Sequence, residues 1–272
     1  MMSIEPLGPA LGARIVGYDL SAPISPAVAR TITGLLAEHL VLVFPDQDLT
    51  HRRHVELAEL FGTPYVHPFL QAVDNHPAVL EVIKEPDDSL PFGGEYWHAD
   101  ITFRNPPAAV SLLYADDVPT IGGDTLFANQ HLAFEALSIG LQKVLGSLDA
   151  IHVYPDRDEG DDDASAVHPV VRVHPMTGRP ALYVNPAFVT RFDAMTADES
   201  RPLLDYLYQV QVRPEFCHRL SWENRQLVLW DNRAVLHYAV NDYPGRRRVL
   251  YRVTSMEVDT AGAEAAGKSE PE

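Results

Sequence analysis

The reading of this chain turns on the stretch Trp230-Asp231-Asn232-Arg233-Ala234-Val235-Leu236-His237-Tyr238-Ala239, with Asp242-Tyr243-Pro244-Gly245 and Arg246-Arg247-Arg248-Val249-Leu250-Tyr251-Arg252 following it. Leu227 to Trp230 is β-prone, Pro244-Gly245 is a turn signal, and Val249 to Ser255 reads as a further strand. Side chains alternate on a strand, so Arg248, Leu250 and Arg252 share one face, while Arg247, Val249 and Tyr251 take the other. Two guanidiniums on an otherwise apolar face are costly to bury unless anions lie opposite them. The alternative is a solvated edge strand whose arginines reach out to water.

Working outward, Val41-Leu42-Val43-Phe44 reads as a buried strand, and Ala108 to Ala115 is β-like. Val170 to Val173 pairs with Ala181 to Val184 across the Met176-Thr177-Gly178-Arg179 turn. Ser25-Pro26 caps a helix carrying Val28, Ile32, Leu35 and Leu36, and Thr50 caps a second one running to a stop at Gly62. A third helix is expected over Ala133 to Leu145, and a fourth within Leu203 to Val212 with Pro202 obscuring its start. Many short strands with helices at their edges predict a mainly β chain with helices, a sandwich or barrel. Residues 1–258 are expected to form a single domain, and 259–272 a disordered tail. The acidic loop at 156–166 is expected to stay solvated through repulsion among its carboxylates.

Lysine and arginine number 21 against 38 acids, a net charge of −17 that disfavours nucleic acid and anionic membranes as partners. The single cysteine, Cys217, excludes a disulfide framework and reads as a partly buried thiol despite its neighbour His218. No secretory or membrane-spanning segment is apparent, which points to the cytoplasm. Phosphate-cradling glycine loops and a nucleophile elbow are missing from the sequence.

Histidine paired with carboxylate is the richer signal. On a strand, His98-Ala99-Asp100 presents an imidazole and a carboxylate on one face, as one metal ion would require. A distant histidine would complete a two-histidine, one-carboxylate triad that leaves positions open for a cosubstrate and oxygen. Alone, His-x-Asp is a pattern that chance supplies in a chain with 12 histidines. His54-Val55-Glu56 falls on a helix, where i and i+2 diverge, and reads as surface.

Jointly, His98-x-Asp100, the Gly122-Gly123-Asp124-Thr125 turn and the 230–252 block resemble the taurine dioxygenase-like family of Fe(II)- and 2-oxoglutarate-dependent dioxygenases, which also includes aryloxyalkanoate dioxygenases and alkylsulfatases. The likeness runs from Ile4-Glu5-Pro6-Leu7-Gly8 to Thr254. It implies a double-stranded β-helix, or jelly roll (cupin-like), core with supporting helices. It implies His98, Asp100 and His237 as Fe(II) ligands, with Thr125 and Arg248 on the distal carboxylate of the cosubstrate 2-oxoglutarate. Arg252, His67 and Phe188 match substrate contacts, although a loop histidine such as His67 commonly has no role. The activity implied is hydroxylation of a small anionic substrate by O2, with release of succinate and carbon dioxide. The substrate would be a sulfonate, sulfate ester or carboxylate such as an aryloxyalkanoate. A hydroxylated carbon bearing a sulfonate, sulfate ester or aryloxy group would release that group by C–S or C–O cleavage. A homo-oligomer, dimer or tetramer, is expected.

The chain departs from the family pattern at the substrate end. Gly94 stands where the taurine enzyme has an asparagine contact, and Leu70 where it has a tyrosine. Both changes remove polar groups, so the expected substrate has an anionic head and a larger apolar body than taurine. Two other readings compete. A non-catalytic ligand-binding jelly roll would not need Thr125 and Arg248, and a halogenase would lack the Asp100 carboxylate.

Overall fold

The run Val41-Leu42-Val43-Phe44 lacks polar alternation because both faces of its strand are covered. In the computed structural model, which describes residues 3–88 and 94–258, Val41–Phe44 lies beside Leu227–Asp231 in a nine-stranded sheet. The order continues through Ala108–Asp117, Arg248–Met256 and His76–Lys84 to Ala72–Val73. On the other side Ala13–Val16 and Ser3–Pro6 extend it, and Thr63–Pro64 pairs with Arg248–Met256. A second sheet, Cys217–Leu220, Thr125–Asn129 and Val235–Ala239, packs across the first. Val41, Val43, Leu113, Val228, Trp230 and Leu250 meet Phe127, Val235 and Leu220 between the two sheets. That pair of facing, mainly antiparallel sheets, with Ala13–Val16 pairing parallel to Val41–Phe44 in the larger one, is the expected jelly-roll core.

The outer face of the large sheet carries the alternate residues Leu42, Phe44, Leu112, Leu227 and Leu229. They bury Ile32 and Leu36 of α1 (Pro26–His39) and Leu57 and Ala58 of α2 (His51–Ala58). Ser25 and Thr50 cap these helices as expected, accepting from Val28 N and Arg53 N. α2 stops at Ala58 rather than at Gly62, the chain turning through 59–61 before it pairs at Thr63. The expected third helix is two: α3 (Gln130–Glu135) and α4 (Ile139–Leu145), separated where Ser138 opens a new cap on Leu141 N. α5 (Ala197–Gln211) begins earlier than expected and contains Pro202. A reciprocal Thr196–Glu199 capping box fixes its start, which outweighs the one backbone donor the proline withholds.

One surface expectation needs correction. His54 is 1% exposed and its Nε2 lies 3.1 Å from the Leu112 carbonyl, because it sits on the face of α2 turned to the sheet. Glu56 points the other way, to Arg52 and Arg53. The acids of 156–166 face solvent but are tethered: Asp163 pairs with Arg104, Glu159 with Arg191, and Arg157 lies 4.5 Å from the Phe69 ring centroid. The tail expected over 259–272 lies outside the described residues.

Candidate metal centre

Register places the chemistry. On the inner face of the large sheet, Trp230 pairs with Ser111 and Ser111 with Thr254, while Arg252 sits beside Leu113 and Leu80. On the facing sheet, His237 pairs with Phe127, and Ala239 with Thr125. His98 joins this second sheet by one antiparallel bridge, its N–H donating to His237 O (3.0 Å) and His237 N–H to His98 O (2.8 Å). The β-prone residues around His98 form this one bridge and no longer strand. Instead the chain turns immediately after the bridge, with Ile101 at φ +51°, a conformation uncommon for a β-branched residue. Asn232 anchors that turn by accepting the Asp100 N–H at 3.0 Å.

His98, Asp100 and His237 therefore converge, each buried, with one ligand atom apiece lying within 4.8 Å of the others. Asp100 Oδ1 is 3.8 Å from His98 Nε2 and 4.0 Å from His237 Nε2. His98 Nδ1 lies 2.9 Å from the Tyr96 carbonyl, so that nitrogen carries the proton and Nε2 presents its lone pair. Burial pushes both imidazoles toward the neutral form. Burial alone would raise the Asp100 carboxyl. The Arg252 guanidinium, with the Ser111 hydroxyl, outweighs it and holds the group well below the usual carboxylate range. Two neutral imidazoles and an ionised carboxylate form a donor set suited to a divalent cation.

The triad opens into a cavity of about 370 Å³ lined by all the expected site residues: His67, His98, Asp100, Thr125, Phe188, His237, Arg248 and Arg252. At one end Arg248 is 2% exposed, its Nε donating to Gly123 O at 3.1 Å. Burial pulls this guanidinium down to about 10, leaving it charged at neutral pH. Trp222 Nε1 donates to Thr125 Oγ1 and fixes the hydroxyl beside it. The glycine turn permits this arrangement: a Cβ on Gly123, at φ +72°, would stand 3.2 Å from the Arg248 side chain. At the other end Arg252 Nη1 donates to Asp100 Oδ1 at 2.7 Å, and its Nε is buried without a protein partner. His67, pushed down to about 4 by burial and then by Arg252, packs edge-on to Phe103 and tilted against Tyr154. Phe188 stands edge-on to His98 and Phe103.

Gly94 has a backbone reason beyond the space it leaves. It adopts φ +81° and its carbonyl accepts from Ala239 N, extending the pairing beside His237. Leu70 lines the cavity and is 45% exposed. Sequence reasoning passed over Ser111, Asn232, Trp222, Tyr96 and Tyr154, the first three bonded to site residues and the last two lining the cavity. Ser111 did leave a signal, the lone serine within the apolar run Ala108 to Ala115.

A family model described as "Taurine catabolism dioxygenase TauD, TfdA family" matches residues 3–254. The alkylsulfatase of Acinetobacter baylyi is 33% identical over 93% of this chain and 84% of its own. An alpha-ketoglutarate-dependent sulfate ester dioxygenase of Pseudomonas putida is 32% identical over 93% of this chain and 89% of its own. Among solved structures, a taurine dioxygenase from Burkholderia xenovorans superposes with a TM-score of 0.83 at 35% identity, covering 94% of this chain and 90% of that one.

Proposed function

The chain belongs to the taurine catabolism dioxygenase TauD, TfdA family, and from that premise we propose that His98, Asp100 and His237 hold its iron while Thr125 and Arg248 hold its cosubstrate. It is an Fe(II)- and 2-oxoglutarate-dependent dioxygenase, an oxidoreductase using O2. When bound, iron with 2-oxoglutarate and oxygen supplies the oxidative decarboxylation to succinate and carbon dioxide and the oxidation of a substrate C–H bond.

The protein's part is recognition and placement. Arg248 offers the distal carboxylate of 2-oxoglutarate a planar, charge-assisted fork in a dry pocket, and Thr125 adds a hydroxyl already oriented by Trp222. Arg252, with a buried Nε still lacking a partner, receives the substrate's anionic head. Neutral His67 adds a hydrogen bond there, and Phe188, Phe103, Tyr154 and Leu70 exclude water and enclose an apolar body. The substrate class is a small sulfonate, sulfate ester or carboxylate such as an aryloxyalkanoate, larger and more apolar than taurine. Where the hydroxylated carbon bears a sulfonate, sulfate ester or aryloxy group, the product collapses and releases that group by C–S or C–O cleavage. The same reading takes residues 1–258 as one domain of a cytoplasmic homo-oligomer, dimer or tetramer. The −17 charge argues against nucleic acid and anionic membranes as partners. No helix among the described residues is long and apolar enough to cross a membrane.

The observation that carries this function is the convergence of His98, Asp100 and His237 in a cavity also lined by buried Arg248 and half-buried Arg252. The test is a panel of alkyl sulfates, sulfonates and aryloxy acids, scored by substrate-dependent succinate formation with Fe(II) and 2-oxoglutarate. At least one anionic member with an apolar body should couple, and Asp100→Ala should form no succinate with it. A best substrate that is uncharged, or an active Asp100→Ala enzyme, would overturn the assignment.

A further inference from the structure

We propose that Ser111 is a positioning residue that makes Asp100 a one-oxygen metal ligand, an inference that rests on the metal reading above. Ser111 is fully buried on Ala108–Asp117, with its Oγ 2.6 Å from Asp100 Oδ2, 2.9 Å from Asn232 Nδ2 and 3.1 Å from Thr254 Oγ1. The direction of every bond in this group is forced. Trp230 Nε1–H and the Asp100 N–H can only donate, and both lie 3.0 Å from Asn232 Oδ1. That fixes the amide, so Asn232 Nδ2 points at Ser111 and donates to it. The ionised Asp100 carboxylate can only accept, so the Ser111 proton goes to Oδ2, and Thr254 donates to the remaining lone pair of Ser111.

Ser111 thus has its one donor and both acceptor sites occupied in a site without water access. Turning Oδ2 toward the imidazoles would break a buried charge-assisted bond and disturb a closed ring of partners. Oδ1 is left as the oxygen that faces His98 and His237, while also accepting from Arg252. A carboxylate gripping with both oxygens would take up one of the positions that this triad keeps open for cosubstrate and oxygen. The Ser111 hydroxyl guards against that grip.

The test titrates the apo protein with Co(II), recording affinity and the visible ligand-field spectrum alongside thermal midpoints. Ser111→Ala should bind Co(II) about 10- to 100-fold more weakly, and its spectrum should shift to that of a changed coordination number. Ser255→Ala is the matched control, since its buried hydroxyl bonds the Ala58 carbonyl at 2.6 Å on the outer side of the sheet. It should lose thermal stability but keep the wild-type affinity and spectrum. Should Ser111→Ala fail to fold, Ser111→Cys, with only a weak S–H donor, should show the same change in smaller measure. Wild-type affinity and spectrum in the folded Ser111 variant would overturn the proposal, as would an equal change in Ser255→Ala. A wild-type chain that takes up no Co(II) would overturn the metal reading itself, and this inference with it.

Discussion

Arg247 and Arg248 are neighbours in sequence with opposite fates. Arg247 points to solvent and pairs with Glu85 and Asp117, while Arg248 is 2% exposed at the end of the cavity. The exposed pairs are screened and worth little. A carboxylate held by Arg248 in a dry site is another matter, since breaking such a pair costs roughly 3–5 kcal/mol. Arg248→Met should therefore weaken 2-oxoglutarate binding about 100- to 5,000-fold, and Arg247→Met should leave it nearly unchanged. Titration of the metal-loaded protein with 2-oxoglutarate measures both, and equal losses would refute the role given to Arg248. The alternation that separates the two is legible in the sequence. That Arg252 reaches the Asp100 carboxylate is not, because it depends on how far apart two non-adjacent segments lie.

Among elements, α5 shows how a local signal can be outweighed in a reading. Pro202 draws attention to 202–203 as a start, yet Thr196 and Glu199 hold the capping-box spacing six residues earlier. Leu204, Leu207 and Val210 then bury against Leu182, Val184 and Phe192. Removing the cap in Thr196→Ala should cost about 1 kcal/mol, read as a thermal midpoint lower by about 2–4 °C. Glu199→Gln retains an acceptor at N3 and should lose less. A Thr196→Ala midpoint equal to wild type would show that tertiary packing alone sets this boundary. The bridge at His98 makes the opposite point: its β-prone surroundings form no longer strand, and one pair of hydrogen bonds followed by a turn does the positioning.

At the scale of the whole molecule, several histidines are buried in neutral form. Burial pushes His54 down to about 3, His168 to about 4 with help from Arg172, and His152 well below its ordinary value. In the unfolded chain each titrates near 6.5. As pH falls below about 6.5, the unfolded state therefore binds protons that the folded state refuses, and stability declines. The loss is on the order of 1 kcal/mol per pH unit for each such histidine until its folded value is reached. The depressed carboxylates of Asp100 and Asp231 add to it only once pH falls below the unfolded carboxylate range, about 4. Urea unfolding of the metal-free protein should show a clear drop in stability between about pH 7 and about pH 5. A flat profile across that interval would contradict the neutral burial of these rings.

What the sequence determined by itself were the features with short-range causes. The caps at Ser25 and Thr50, the two-sided apolar strands and the alternation of Arg248 with Arg247 all follow from spacing along the chain. The family motifs nominate His98, Asp100, His237, Thr125 and Arg248 because each stands at a fixed offset from recognisable neighbours. The tertiary structure alone decided which groups complete them. Ser111, Asn232 and Thr254 come from three separate strands or turns, and they meet around Asp100 only because the inner face of one sheet aligns them in register. His54 likewise turns inward because the sheet lies on that side of α2. Hydrogen bonds and burial operate over a few ångströms, whereas these residues stand up to 143 positions apart in the chain, so folding must close that separation before either can act.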